Sequence, residues 1–314
     1  MENLVFSLNA TMPIFLMMIL GFIFHKIGFF DESFANKMNK FVFVVALPVL
    51  LFKDLSTADF YSVWDTKFVL YCFIVTFVSI VIAIVVSLLL KDKSIQGEFV
   101  QAAYRSSPAL LGAAFVQNIY GEVGAASLMI IGAVPLYNIM AVVVLAVMKP
   151  ERGKLNKTLL FKTAKGIITN PLIIGVIVGI IWSILKIPQP IIFQKTVSGF
   201  AAVATPLGLM ALGACFDLKK AFAKLKPALL CCAFKLLIFV IIFLPFAIYL
   251  GFRQDKLVSV LVMLGAATTV SSFVMARNMG HEGTLSASAV MLTTFLSAFT
   301  LTFWLYITKS FELI

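Results

Sequence analysis

One cation and two hydroxyls stand together inside an apolar part of this sequence. Arg105, Ser106 and Ser107 lie about eight residues into the stretch 97–120. A guanidinium group suits paired hydrogen bonds to a carboxylate, and a cation placed this deep in apolar sequence is by default a candidate for function. The triplet predicts recognition of an organic anion. The alternatives are an arginine that snorkels to an interface or pairs with a protein carboxylate.

A second polar group lies in the stretch 257–279. It contains Thr268, Thr269, Ser271 and Ser272 within five residues. Hydroxyls can satisfy backbone groups that an unwound turn frees, so this segment is predicted to bind substrate beside a broken helix. The alternative is packing between helices, where hydroxyl residues are common. Three amides complete the candidate set and could instead cap or brace helices: Gln117, Asn118 and Asn138.

Two residues are predicted to break the helix that carries Arg105. Pro108 removes an amide donor and clashes with the preceding turn, and Gly112 follows it. Two further cations stand near apolar sequence. Lys235 is read as a snorkelling or ion-paired lysine, or as a residue with a direct role, and Arg277 as a cytoplasmic residue or an anion-recruiting one.

Other chemistries find little support in the residue inventory. The only histidines are His25 and His281, and the four cysteines lie in apolar stretches without CxxC spacing. We therefore expect no metal site, no disulfide framework, no cofactor and no enzyme activity. A phosphate-cradling glycine motif is missing, which argues against ATP drive. No Asp or Glu lies clearly within the membrane part of stretches 3, 4, 5, 8, 9 or 10, which disfavours a carboxylate proton relay; sodium or proton coupling stays open.

The elements that position these residues follow from composition. Apolar residues make up 61% of the 314 residues and charged residues 12%, which excludes a soluble enzyme, a disordered chain and a nucleic-acid-binding module. A bilayer-spanning helix needs about 20 mostly apolar residues. Ten such stretches predict an all-α membrane protein: 4–24, 39–55, 67–90, 97–120, 123–148, 158–185, 191–214, 226–251, 257–279 and 283–308.

Lysine and arginine concentrate in the loops after the odd-numbered stretches. The link between the fifth and sixth stretches is the richest, with Lys149, Arg152, Lys154, Lys157, Lys162 and Lys165. Because basic loops stay in the cytoplasm, both termini are predicted outside. The net charge of +11 is thus read as loop charge rather than as a nucleic-acid surface.

The two halves of the chain share a spacing. Pro48 precedes Gly121 by 73 residues, and Pro206 precedes Gly280 by 74. This offset predicts a five-plus-five repeat: residues 1–149, a cytoplasmic link 150–157, and residues 158–314. Five is odd, so the halves must cross the membrane in opposite senses. Inverted repeats with broken helices at the midplane are typical of secondary transporters.

Several motifs carry a resemblance to a known family. They are NKFVF and LPVLLF at 39–43 and 47–52, NPL at 170–172 with Gly175 and Gly179, TPLG at 205–208, and FVMAR at 273–277. In order and spacing the chain resembles the auxin efflux carrier family, which includes the plant PIN-type exporters, within the superfamily of bile-acid, arsenite and riboflavin-type transporters. The short central link resembles the prokaryotic members.

The resemblance implies a fold and a mechanism. It implies a scaffold of helices 1, 2, 6 and 7, a mobile transport domain of helices 3–5 and 8–10, and broken helices 4 and 9 that cross. It also implies a homodimer in the cell membrane and a small organic anion as substrate. The family's crossover prolines are replaced here by Ala114 and Ser272, and its fourth-helix asparagine by Ser107.

These observations favour a secondary transporter that moves a small carboxylate by an elevator-type mechanism. An anion channel, or a membrane protein that senses a ligand without moving it, is the alternative. A channel would require a continuous polar stripe along a helix, and a sensor would usually carry a soluble domain.

Overall fold

The computed structural model describes residue 13 and the ranges 16–57, 64–106, 113–120, 125–149, 165, 168–216 and 218–314. The regular structure in these ranges is helical, and none of it is strand. The α-helices, in chain order, are α1 Leu16–Lys26, α2 Glu32–Phe41, α3 Leu47–Ser56, α4 Thr66–Leu88, α5 Gln96–Tyr104, α6 Ala113–Tyr120, α7 Ala126–Val147, α8 Pro171–Ile184, α9 Ile191–Ala214, α10 Leu218–Ala223, α11 Leu225–Ala233, α12 Phe239–Tyr249, α13 Gln254–Gly265, α14 Ser271–Asn278 and α15 Thr284–Ser310.

Five helices within the described ranges are long and apolar enough to span a bilayer: Thr66–Leu88, Leu128–Val147, Ile191–Ala214, Leu225–Tyr249 and Thr284–Ser310. Each of the ten predicted stretches contains a described helix, but the fourth and ninth are divided into two short ones. An all-helical membrane protein is therefore confirmed. The ten-helix inverted repeat stays a prediction.

Short polar residues start several of these helices. Asp31 accepts the amide of Phe34 at 2.6 Å and begins α2, and Asn170 accepts the amide of Leu172 at 2.9 Å and begins α8. Asp65 caps the start of α4, and its carboxylate also accepts a hydrogen bond from the Lys256 ammonium at 2.6 Å. That hydrogen bond lowers the pKa of the Asp65 carboxyl. Caps of this kind satisfy amides that have no partner inside the helix.

Two helices contain a π-helical segment. Val42–Ala46 joins α2 to α3 just before Pro48, and Phe234–Ile238 joins α11 to α12 and contains Lys235. In the first of them the amide of Leu47 donates to the Val42 carbonyl, an i→i+5 hydrogen bond. Such π-bulges are frequent at functional sites.

Glycines allow close contact between α3 and α8 and between α1 and α9. A Cβ atom on Gly175 of α8 would lie 2.6 Å from the Pro48 carbonyl oxygen of α3, and one on Gly213 of α9 would lie 2.0 Å from the Met18 carbonyl oxygen of α1. Both distances are too short for a Cβ atom to fit. The backbones of α3 and α8, and of α1 and α9, therefore pack directly on each other, as small residues permit in membranes.

The buried residues form two large cores. The first is built by α4, α5, α6, α7, α11, α12, α13 and α15. The second is built by α1, the first π segment, α3, α8 and α9, together with α14 and residues of α7 and α15. α7, α15 and the broken ninth stretch contribute to both cores, so these elements lie where the cores meet.

Candidate functional site

The fourth stretch is interrupted at the residues that the sequence singled out. α5 ends at Tyr104, and Arg105 is extended, with φ −76° and ψ 133°. The next described helix, α6, begins at Ala113. The interruption agrees with the sequence, because Pro108 cannot donate the amide that a continuous helix would require at that position.

The ninth stretch is interrupted without a proline. α13 ends at Gly265, Ala266 is extended with φ −76° and ψ 161°, and α14 begins at Ser271. Side chains of neighbouring helices satisfy the freed groups. The amide of Thr268 donates to Thr293 Oγ1 at 3.0 Å, and the Thr268 hydroxyl donates to the Ala102 carbonyl at 2.8 Å. The hydroxyl that satisfies the freed amide of Thr268 therefore comes from Thr293 of α15, outside the run 268–272.

The two interruptions lie side by side. Gln101, on the last turn of α5, donates from Nε2 to the Ser272 carbonyl of α14 at 2.8 Å. The Thr268 hydroxyl also donates to the Ala102 carbonyl, so α5 is bonded to the ninth stretch both within its interruption and just after it. Polar groups far apart in sequence therefore form one buried cluster.

Arg105 is at the centre of this cluster and is 2% exposed. Its Nη2 donates to Asn138 Oδ1 at 2.9 Å and to Ser271 Oγ at 2.8 Å. Its Nη1 donates to Met275 Sδ at 2.9 Å and to Gln101 Oε1 at 3.3 Å. Among the described residues, its Nε has no hydrogen-bond partner, and no carboxylate contacts the guanidinium. The acceptors that the described residues offer to this charge are all neutral.

The hydroxyls around Arg105 differ in what they bind. Ser271 accepts from Arg105 and lies 3.2 Å from the Thr269 hydroxyl, Oγ to Oγ1. Ser106 donates to the Met263 carbonyl at 2.5 Å. Ser272 is fully buried, and its hydroxyl has no partner among the described residues. The Ser272 hydroxyl and Arg105 Nε are thus buried donors without a partner among the described residues.

The structure brings part of the predicted set together. Arg105, Ser106, Asn138, Thr268, Thr269, Ser271 and Ser272 belong to the cluster. Ser107, Pro108 and Gly112 lie outside the described residues, and so do the side chains of Gln117 and Asn118 on α6.

The other two cations are in different positions. Lys235 is fully buried and donates to the carbonyls of Met263 and Leu264 at 3.2 and 2.6 Å, so it does not snorkel. Arg277, at the end of α14, is partly exposed and donates to Asn36 Oδ1 of α2 at 3.2 Å. Lys235 thus adjoins the cluster, since Met263 also accepts from Ser106, whereas Arg277 joins two helices at the surface.

The chain matches the family described as membrane transport protein over residues 6–305. The chain belongs to this family. It is the auxin efflux carrier family that the sequence motifs resemble, so that expectation is confirmed. A protein of Rhizobium meliloti (strain 1021) named "Putative malonate transporter" is 23% identical over 96% of each chain. Both comparisons indicate a membrane transporter and not an enzyme.

This family member also has a buried carboxylate that sequence reasoning missed. Glu98, near the start of α5, is fully buried, and its two carboxylate oxygens accept the amides of Gly283 and Ser286 at 2.9 Å each. These amides open α15, so an anion here is stabilised by a helix N-terminus. In the sequence, Glu98 is an acidic residue at the edge of an apolar stretch, and nothing there distinguishes it from an ordinary interfacial residue.

Proposed function

We propose that this protein is a secondary transporter that moves a small organic anion, a carboxylate, by elevator-type alternating access. The observation that carries the proposal is Arg105: a fully buried guanidinium bonded only to neutral groups, beside two broken helices. Burying an uncompensated charge is costly, and the cost is removed when an anion binds. A carboxylate can accept from Arg105 Nε and from the Ser272 hydroxyl.

The helix ends favour the same ligand. α14 begins at Ser271, within hydrogen-bond distance of Arg105, and the dipole of a helix favours an anion at its N-terminus. The relative's name supports a small carboxylate as the class to test first. No carboxylate of the described residues is present to compete with it at Arg105.

The two cores support a division into a scaffold and a moving domain. We assign the helices of the first, second, sixth and seventh predicted stretches to the scaffold, and those of the third to fifth and eighth to tenth stretches to the transport domain. The two repeats, 1–149 and 158–314, are joined by the link 150–157. The second core is then the apolar interface along which the domains slide. The basic loops support cytoplasmic placement of the odd-numbered loops, with both termini outside. A homodimer in the cell membrane of a prokaryote completes the proposal.

Transport is tested in proteoliposomes by counterflow of radiolabelled malonate, malate and lactate. We expect saturable uptake driven by the same anion trapped inside. Arg105→Gln should lower the apparent affinity about 10-fold or more, since hydrogen bonds to a charged partner contribute about 1.5–3 kcal/mol. The matched control is Arg253→Gln, which removes an exposed arginine bonded to backbone carbonyls and should leave uptake unchanged.

The alternatives give different results in the same assay. A channel would give an anion current that neither saturates nor shows counterflow. A sensor would bind the anion and protect against thermal unfolding without moving it. If Arg105→Gln and the native protein transport equally well, Arg105 is not the anion site.

A further inference from the structure

Lys235 binds the end of a broken helix. It is fully buried, and its ammonium donates to the carbonyls of Met263 and Leu264, the last full turn of α13. In a continuous helix the Leu264 carbonyl would accept the amide of Thr268, but that amide donates to Thr293 Oγ1 instead. The π-helical segment Phe234–Ile238 contains the lysine opposite this freed carbonyl.

The position attracts a cation on electrostatic grounds. The C-terminus of a helix carries a partial negative charge of about half an electron, concentrated on its last carbonyls. No carboxylate of the described residues contacts Lys235, so its ammonium is held by backbone dipoles alone. In transporters with broken helices, such carbonyls and half-helix C-termini are the groups that coordinate a coupling ion.

The position is also joined to the anion site. The Met263 carbonyl accepts from Lys235 Nζ at 3.2 Å, from the Tyr137 hydroxyl at 3.2 Å and from the Ser106 hydroxyl at 2.5 Å. Ser106 follows Arg105 directly. A positive charge on these carbonyls therefore fixes one wall of the proposed substrate site.

We propose that the Lys235 ammonium is a built-in substitute for a free alkali cation, bound at the C-terminus of α13. The native protein then needs no sodium for this part of its structure. Removing the ammonium leaves carbonyl and hydroxyl oxygens without a carboxylate, a neutral oxygen set that suits a monovalent ion of the sodium type. The inference that native anion transport needs no sodium rests on the proposed function, whereas the cation site itself does not.

The site is tested by thermal unfolding of the purified full chain in detergent, in sodium, lithium, potassium or choline chloride at equal ionic strength. The native protein should unfold at the same temperature in all four salts. Lys235→Ala should unfold earlier in choline and regain about 2–4 °C or more in sodium, as expected for an ion that binds only the folded state.

The matched control is Lys67→Ala. Lys67 also donates its ammonium to the last carbonyl of a helix, Leu250 at 2.7 Å, but it is exposed, so water satisfies that carbonyl when the lysine is removed. We expect no sodium dependence from this variant. A sodium response equal to that of Lys235→Ala would mean a general salt effect and would overturn the proposal.

Lys235→Ser is a second variant that offers one more oxygen to the ion. A folded Lys235→Ala or Lys235→Ser that unfolds equally in all salts overturns the proposal. Failure of both to fold even in sodium also overturns it, since the ion should replace the ammonium. Anion uptake by Lys235→Ala should require external sodium, whereas native uptake should not. If no variant and no native protein transports anions, the proposed function fails, but the unfolding data still decide the cation site.

Discussion

At the scale of single residues, three side chains that carry a charge are buried in the described part of the chain, and their surroundings differ. Glu98 accepts amides at the start of α15, and Lys235 donates to carbonyls at the end of α13. Both are stabilised by helix termini of the appropriate sign. Arg105 has only neutral side-chain acceptors and one free N–H group. Of the three, it is therefore the charge that we propose a ligand neutralises.

The Ser272 hydroxyl provides a residue-scale prediction. A buried hydroxyl without a partner does not stabilise the fold, so Ser272→Ala should leave the free energy of unfolding within about 0.5 kcal/mol of the native value. If the hydroxyl donates to the substrate, the same change should weaken anion binding about 5- to 10-fold. The measurements are thermal unfolding and counterflow at graded anion concentrations.

Ser259→Ala is the control for that prediction. Ser259 is equally buried on α13, but its hydroxyl donates to the Asp255 carbonyl within the same helix at 2.6 Å. We expect Ser259→Ala to bind the anion with native affinity. A loss of stability in Ser272→Ala together with native affinity would show that the hydroxyl serves packing, the alternative that the sequence left open.

At the scale of elements, the helices near the proposed scaffold are held by backbone contact. In this arrangement dispersion and close fit replace the hydrophobic effect, because lipid tails are as apolar as the side chains. Gly175 and Gly213 allow the contact, and the sequence showed Gly175 only as part of a motif. What each glycine touches could not be read from the chain, since it depends on which helix lies opposite.

Gly213→Ala should disrupt the packing of α9 on α1, because the new methyl group would lie 2.0 Å from the Met18 carbonyl oxygen. Overpacking of this kind costs about 1–3 kcal/mol, and we expect a lower unfolding temperature in detergent. Gly199→Ala on the same helix meets nothing within 4 Å. It should be neutral or slightly stabilising, because alanine favours helix over glycine by about 1 kcal/mol. Equal effects of the two changes would contradict the packing argument.

At the scale of the whole molecule, one face of α4 shows where lipid belongs. Leu70, Ile74, Phe77 and Val81 recur at helical spacing and are exposed, while Phe68, Cys72, Val75, Ser79 and Ala83 face the first core. A helix apolar on both sides fits a bilayer outside and protein inside.

A cross-link between the proposed domains should stop transport. Arg277 of α14 contacts Asn36 of α2, so cysteines at these two positions, joined by a short bifunctional thiol reagent, should abolish counterflow. Reduction of a cleavable reagent should restore it. Undiminished uptake in the fully cross-linked protein would rule out relative motion of these helices.

The control cross-link lies within one proposed domain. Lys224 and Asp92 form an ion pair on the side of the first core, and cysteines there should react without loss of uptake. Both pairs are polar and accessible to the reagent. A difference between the two cross-links in their effect on uptake therefore reports which helices move.

The sequence by itself determined the membrane class, the family and the position of nearly every described helix, because apolar length and motif order are local properties of the chain. The sequence also pointed to the fourth and ninth stretches, which the described helices show to be interrupted. Only the tertiary structure decided how the polar residues are used. It placed Asn138 and Ser271 on Arg105, satisfied Thr268 through Thr293 and Ala102, and bound Lys235 to α13. These partners are 25 to 166 residues apart, and the partner of a buried polar group is set by which helices pack together, a property that no local pattern encodes.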